Sequence, residues 1–375
     1  MAKKKKKEKS NPVEKIVKSK ESTNTFPFIC TIIALGIVLR LAQIFFNKTI
    51  TTDELSLVSD IMNKDFWGLF NPLSTVQTAP PLFLCLIKSI TYLIPTGSSQ
   101  QVIDNVCKII PLIGSIASIF AFHQLLKNIF INKFVILTGI ILFALNPALI
   151  KYSWELKPFS TDVLTCTLLI TYFIRYNPEG YWRQFIQILV LSCSMLFSLP
   201  SAFIITGGIV NILFKDWRKF LFALTAFGLF ITFYFIYHLW GIMETHGAKL
   251  DHYWQSFFIT QQNIYHLGLN YVKTNFNILI MPIVTLCVLG VGLLVSCFRD
   301  KKIAIITLSA AFAILSTSYL HLYPIAPRLL LFTIPLAIVL VCQICDLLPA
   351  NNIISKVLPI IFVGLACFNL LTALF

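Results

Sequence analysis

This sequence is short of charge, and shortest of acid. Asp, Glu, Lys and Arg make up 12% of its residues, about half the share of a typical soluble protein. Only 16 of the 375 residues are acidic, against 30 that are basic. That leaves no stretch from which a soluble domain of useful size could be built, and no C-terminal soluble domain is expected. Apolar runs of roughly 17–25 residues, the length a helix needs to cross a bilayer, recur from Phe26 onward. They are continuous rather than alternating, which excludes a transmembrane barrel. No small-residue cleavage site marks a signal peptide, so the first run is expected to stay in the membrane. The ten cysteines sit mostly inside apolar runs. Cys342 and Cys345 form a CxxC without His or further Cys at ligand spacing, so they read as packing; neither a disulfide framework nor a zinc site is expected. No internal repeat is visible.

The net charge of +14 is not a nucleic-acid signal, because nine of the 30 basic residues fall in the first 20 positions. Residues 1–25 read as a disordered cytoplasmic tail facing anionic lipid. The rest of the chain, 26–375, reads as a membrane-embedded all-α bundle.

Against this background residues 51–82, TTDELSLVSDIMNKDFWGLFNPLSTVQTAPPL, stand out. Two acids side by side next to a bilayer, Asp53 and Glu54, are the first place to look for chemistry. Thr51 as N-cap with Glu54 three residues on predicts a capping box. Leu55, Val58, Met62 and Phe66, with Leu57 and Ile61 beside them, predict an amphipathic helix lying on the membrane surface. Pro80 and Pro81 open a second apolar run, 82–94, that is short for a crossing and interrupted by Lys88. If that run does not cross, the basic loops at Lys127 and Lys133, Arg175 and Arg183, Lys215 to Lys219, Arg299 to Lys302 and Lys356 all fall on the side of the Lys-rich tail. If it crosses, they all leave that side. The positive-inside rule selects the first arrangement. Spans are then expected at 26–46, 106–126, 134–150, 162–174, 185–199, 201–214, 220–240, 278–298, 303–320, 329–348 and 357–375, about eleven, with a first outer loop at 47–105. Pro200 marks either a tight turn between two short helices or a kink in one long one.

This topology gathers the polar stretches on the outer side. Residues 146–162, NPALIKYSWELKPFSTD, carry Glu155, Lys157 and Asp162. Residues 241–273 form a long loop with His246, Asp251, His252, Trp254 and His266, and 321–328, HLYPIAPR, form a further turn. Each feature has a plainer reading. Asp53 and Glu54 suit a helix cap, Glu155 and Lys157 an interfacial ion pair. Tyr152, Trp154 and Phe159 suit an interface belt, Arg328 a snorkelling cation, and the histidines structural positions. Arg40, inside the first span, requires a partner.

In combination the order is specific: a first span, an outer Asp-Glu pair, an amphipathic helix, a Pro-Pro-Leu-Phe helix, a basic residue (Lys108) leading the second span, and Tyr152-Ser153-Trp154-Glu155-Leu156-Lys157-Pro158-Phe159-Ser160. It resembles the glycosyltransferase C superfamily, in particular its family 39-like branch of dolichyl-phosphate-mannose-protein mannosyltransferases and aminoarabinose transferases. The resemblance is clearest over residues 26–175. It implies an inverting transfer of sugar from a polyprenyl-phosphate donor to a lipid, glycan or protein acceptor on the outer face. Asp53 would be the catalytic acid with Glu54 supporting it, Glu155 the second acidic position, and Lys157 and Arg328 the candidates to hold the donor phosphate; Lys108, Tyr152 and Asp162 would support them. The chain departs from the pattern in having Ala79, with Gln77 nearby, where a basic residue often precedes Pro-Pro, and Lys108 where Arg is usual. Some relatives bind a divalent cation, but Asp53 and Glu155 are a thin ligand set and no metal is expected. By analogy the compartment is a bacterial inner (plasma) membrane. The competing reading is a transporter or flippase of a lipid-linked saccharide, which would place its functional charges at mid-span.

Overall fold

The computed structural model describes residues 25–46, 50–95, 97–176, 180–276 and 282–348, with Val357, Ile361 and Gly364 beyond them. Among these residues every regular element is helical. Six helices are long and apolar enough to cross a membrane, seven if one bent pair is a single span. The chain is an all-helical, multi-pass membrane protein. The basic tail, residues 278–281 of the expected 278–298 span and nearly all of the 357–375 span lie outside the described residues.

The first membrane helix, α1 (Phe26–Phe46), has the expected bounds, and its 21 residues reach about 31 Å, one hydrocarbon thickness. In α2 (Thr52–Asn63) the capping box forms as predicted. The Glu54 N–H donates to Thr51 Oγ1 at 3.3 Å, and the Thr51 N–H donates to Glu54 Oε2 at 2.9 Å. Of the apolar residues expected to give the amphipathic pattern, Leu57, Val58 and Ile61 are buried against the protein, while Leu55, Met62 and Phe66 stay 46%, 42% and 39% exposed. Both flanks of α2 are apolar, and α3 (Pro81–Thr91) selects one by packing Phe83, Leu84 and Ile87 against it. The 11 residues of α3 reach about 17 Å, too short to cross. Its Lys88 is buried and donates to the Ile61 carbonyl at 2.8 Å, in the last turn of α2, where a cation suits the helix dipole.

Next, α4 (Gln100–Cys107) runs into α5 (Ile109–Ile129) with Lys108 at the joint, one helical stretch of 30 residues. The first connection therefore ends at Ser99, earlier than the expected boundary at 105. The expected 134–150 span is broken into α6 (Lys133–Ala144) and α7 (Pro147–Lys151), bent by 48°. Pro147 has no N–H with which to continue the α6 ladder, and Asn146 restarts the helix by accepting the Leu149 N–H at 3.1 Å. After α8 (Phe159–Arg175), the chain forms α9 (Tyr181–Ser192), a 3-10 turn over Cys193–Leu196, and α10 (Ser201–Leu213). Helix α9 packs on α11 (Trp217–Tyr234).

A π turn, Phe235–Leu239, carries α11 onward into α12 (Trp240–Trp254). Residues 241–273, expected as a loop, are thus largely helical, continuing in α13 (Ile264–Asn275). Two histidines of this arm hold it down. His238 Nδ1 lies 2.7 Å from the Phe70 carbonyl and His246 Nε2 2.9 Å from that of Leu73; a carbonyl only accepts, so each ring nitrogen donates. The bundle is completed by α14 (Pro282–Arg299), α15 (Lys301–Tyr319), a 3-10 segment Pro327–Thr333, and α16 (Ile334–Cys345). Helix α10 packs on α15, and α14 on α16. Cys342 and Cys345 are buried free thiols in α16.

Two apolar cores result. The large one fills the bundle; a small one joins α2, α3, Leu69, Leu73 and Cys107 to Leu156. Arg40 is fully buried in α1, and its partners are not acids. Its Nη1 donates to the Ala144 carbonyl at 2.7 Å and to that of Gly36 at 3.0 Å, and its Nε to Ser115 Oγ at 2.8 Å. Ala144 ends α6, so the guanidinium satisfies a carbonyl freed by the break at Pro147.

Close helix contacts rest on glycine, as membrane bundles favour. A Cβ on Gly292 would collide with the Leu340 backbone of α16, whereas one on Gly290 would meet nothing within 4 Å. Gly292→Ala should therefore destabilise the detergent-solubilised protein by about 1–3 kcal/mol, the scale of overpacking. Gly290→Ala should leave it unchanged or slightly stabilised. Thermal unfolding followed by size-exclusion chromatography checks both.

Candidate functional site

Leu156 positions the site. Its side chain is fully buried in the small core. Its N–H donates to Glu54 Oε1 at 2.7 Å, and around it the Lys157 N–H closes a tight turn on the Glu155 carbonyl at 2.8 Å. Glu155 and Lys157 are thereby fixed on either side of an anchored residue, each half-buried.

The Glu54 carboxylate that receives Leu156 is itself 3% exposed and fully engaged. Oε2 takes the Thr51 N–H and also the Thr51 hydroxyl at 3.0 Å. Oε1 takes Leu156 and faces Lys108 Nζ at 3.7 Å, both side chains being almost entirely buried. Glu54 and Lys108 are thus a buried pair that joins α2, the α4–α5 joint and the 155–157 turn. This suits the supporting role expected of each.

Asp53 is half-buried beside this pair. Its carbonyl accepts from Gln77 Nε2 at 2.8 Å, and Gln77 Oε1 accepts from Lys157 Nζ at 2.9 Å. One amide therefore sets the spacing between the Asp53 backbone and the Lys157 ammonium. Burial lowers the Lys157 pKa, while Asp53, Glu54 and Glu155 pull it up and Arg328 pushes it down. Burial and the neighbouring Glu54 carboxylate push Glu155 up to about 7, against the pull of Lys151, Arg328 and Lys157. Asp53, Glu54, Glu155, Lys157 and Arg328, from three distant segments, thus act on one another.

Arg328 reaches the group by a polar relay. Asn146 Nδ2 donates to the Asn275 carbonyl at 2.9 Å, and Asn275 Nδ2 to the Pro327 carbonyl at 2.9 Å. Next along the chain, the Arg328 guanidinium lies 5.2 Å from the centre of the Trp254 ring and 3.5 Å from the Tyr253 hydroxyl. It enters none of the four ion pairs among the described residues, and so remains open to an anion. Tyr152 packs edge-on against Phe159, and its carbonyl accepts the Ser160 hydroxyl at 3.0 Å. Asp162 stands apart from the group. It is 6% exposed in the first turn of α8, beside Ser198 and near Cys166.

Two contributors escaped the sequence reading as site residues. Gln77 was noted only as a departure near Pro-Pro, and its bridging place depends on residues 24 and 80 positions away. Lys151 acts on Glu155; a basic residue four before an acid was the only available signal. Among the described residues no three His, Cys, Asp or Glu side chains gather as a metal set. A crevice between Ser115, Tyr152, Ser160 and Leu331 is too narrow for water. Compared with protein-family models and with curated proteins, the chain matches none.

The raised Glu155 pKa has a direct signature. Glu155 carries its proton below about 7 and loses it above, so the proton it retains on folding is a stabilising contribution that fades as pH rises from the unfolded value through 7. An infrared pH titration of the wild type should show one protonated-carboxyl band vanishing near 7, absent from Glu155→Gln. A band that persists unchanged in that variant would assign the proton to another acid.

Proposed function

We propose that this protein is an integral-membrane inverting glycosyltransferase that moves a sugar from a polyprenyl-phosphate donor to a lipid, glycan or protein acceptor. The observation that carries the reading is the shared environment of Asp53, Glu155, Lys157 and Arg328: two carboxylates and two cations brought together by separate segments. The reading includes the eleven-span topology, with the N-terminus cytoplasmic and this group on the outer face of a bacterial inner membrane.

In this reading the acceptor hydroxyl or amine attacks the anomeric carbon from the side opposite the phosphate. The new bond forms as the carbon–oxygen bond to phosphate breaks, and the acceptor proton passes to Asp53. The leaving phosphate gains charge, which fixed cations at Lys157 and Arg328 stabilise. Glu155, near the midpoint of its titration at neutral pH, can meet a phosphate oxygen with an O–H in place of a repelling charge. Gln77 holds the Lys157 ammonium at a set distance from Asp53.

The second reading, transport of a lipid-linked saccharide, draws on the broken helices at Pro147 and Pro200 and on the buried Arg40 and Asp162, features that transporters place at their binding sites.

The deciding experiment incubates purified protein with a panel of radiolabelled polyprenyl-phosphate sugars. Wild type should transfer or release sugar from one donor, and Asp53→Asn should lower that rate roughly 10²–10⁴-fold, the usual worth of a positioned base. Equal rates in the two proteins would overturn the role of Asp53. Donor moved across sealed vesicles without cleavage would favour transport.

A further inference from the structure

Asp162 poses a problem that the proposed transfer chemistry does not solve. Its Oδ1 is buried and has no hydrogen-bond partner, and it enters none of the four ion pairs among the described residues. A lone carboxylate in an apolar bundle is expensive unless something offsets its charge.

Beside it lie a hydroxyl and a thiol, those of Ser198 and Cys166. The Ser198 hydroxyl lies beside the carboxylate and the Cys166 thiol and is 0% exposed. Ser201, also 0% exposed, and Ser194 belong to the same turn, and their hydroxyls lack partners. The turn is a helix break. The backbone bonds run from the N–H of Phe197 and Ser198 to Ser194, then from Ser201 back to Ser198. Pro200 has no N–H to offer Leu196, so the α9 side ends in freed carbonyls, the negative end of a half-helix. A buried acid with a buried hydroxyl beside it, next to a helix break that frees carbonyls, offers hard oxygen donors with one formal negative charge. That charge suits a monovalent ion; divalent ions favour several carboxylates, and unwound carbonyls at half-helix ends are where membrane proteins hold sodium.

We propose that Asp162, Ser198 and the broken turn at 193–200 bind a sodium ion, which neutralises the buried carboxylate and pins α8 to the α9–α10 break. This site is independent of sugar transfer and is read without an activity assay.

The test uses the full chain in detergent, with thermal unfolding measured as NaCl replaces choline chloride at constant ionic strength. A ligand that binds only the folded state raises the melting temperature in step with its concentration. Wild type should show a sodium-dependent rise that Asp162→Asn abolishes. Ser198→Ala should raise the sodium concentration needed for the half-maximal rise roughly tenfold, the effect of about 1.4 kcal/mol. Should Asp162→Asn not fold, Ser198→Ala carries the test alone. Identical wild-type curves in sodium and choline would mean that Asp162 holds a proton instead, and would overturn the proposal. So would an undiminished sodium effect in either variant.

Discussion

Glu54 is the residue on which the polar layer above the bundle depends. A carboxylate this deeply buried is tolerable only when its charge and all its lone pairs are met. Lys108 supplies the charge, and the backbone of Thr51, the Thr51 hydroxyl and the backbone of Leu156 supply the donors. These groups lie on three pieces of chain. Satisfying one carboxylate therefore fixes the start of α2, the joint between α4 and α5, and the turn that carries Glu155 and Lys157. Leu156 adds its apolar side chain to the same assembly, so the polar tie and the small core reinforce one another.

The membrane bundle meets the same constraint differently. Within lipid every freed backbone group needs an internal partner, and the break at Pro147 occurs where one is at hand. Ala144 ends α6 under the Arg40 guanidinium, and Asn146 both restarts the helix and reaches Asn275. Asn275 in turn holds Pro327, the residue before Arg328. The break in α6–α7 is thus connected, through two amides, to the position of a cation more than 180 residues later in the chain. The long α11–α12 arm is secured by the same means, with His238 and His246 donating to carbonyls of the 68–73 segment.

How much of this the sequence disclosed follows the range of each interaction. The capping box was legible because its partners are three residues apart, and α1 because it is one long apolar run broken only by Arg40 and Gln43 among its larger polar residues. The inward face of α2 was not, since Leu55 and Met62 are as apolar as Leu57 and Ile61, and only the arrival of α3 separates them. The 241–273 segment reads as a loop because it is polar; one of its polar groups, His246, finds its partner at Leu73, 173 residues earlier. Arg40 was legible as a residue needing a partner, but backbone carbonyls leave no mark in a sequence. The grouping of Asp53, Glu155, Lys157 and Arg328 was suggested by resemblance to a family pattern; the tie that unites three of them through Glu54 and Gln77 was not.

The same tie also governs the chemistry available to the group. Glu54 is buried against Lys108, and its carboxylate bears on Glu155. Burial has already made ionisation of Glu155 costly, and the fixed charge nearby raises the cost again, while Lys151, Lys157 and Arg328 are close enough to moderate it without cancelling it. A carboxyl poised near neutrality is thus a consequence of how the layer is held together. The acids are held differently: Glu54 is tied through both carboxylate oxygens, whereas Asp53 is tied to Gln77 through its backbone carbonyl.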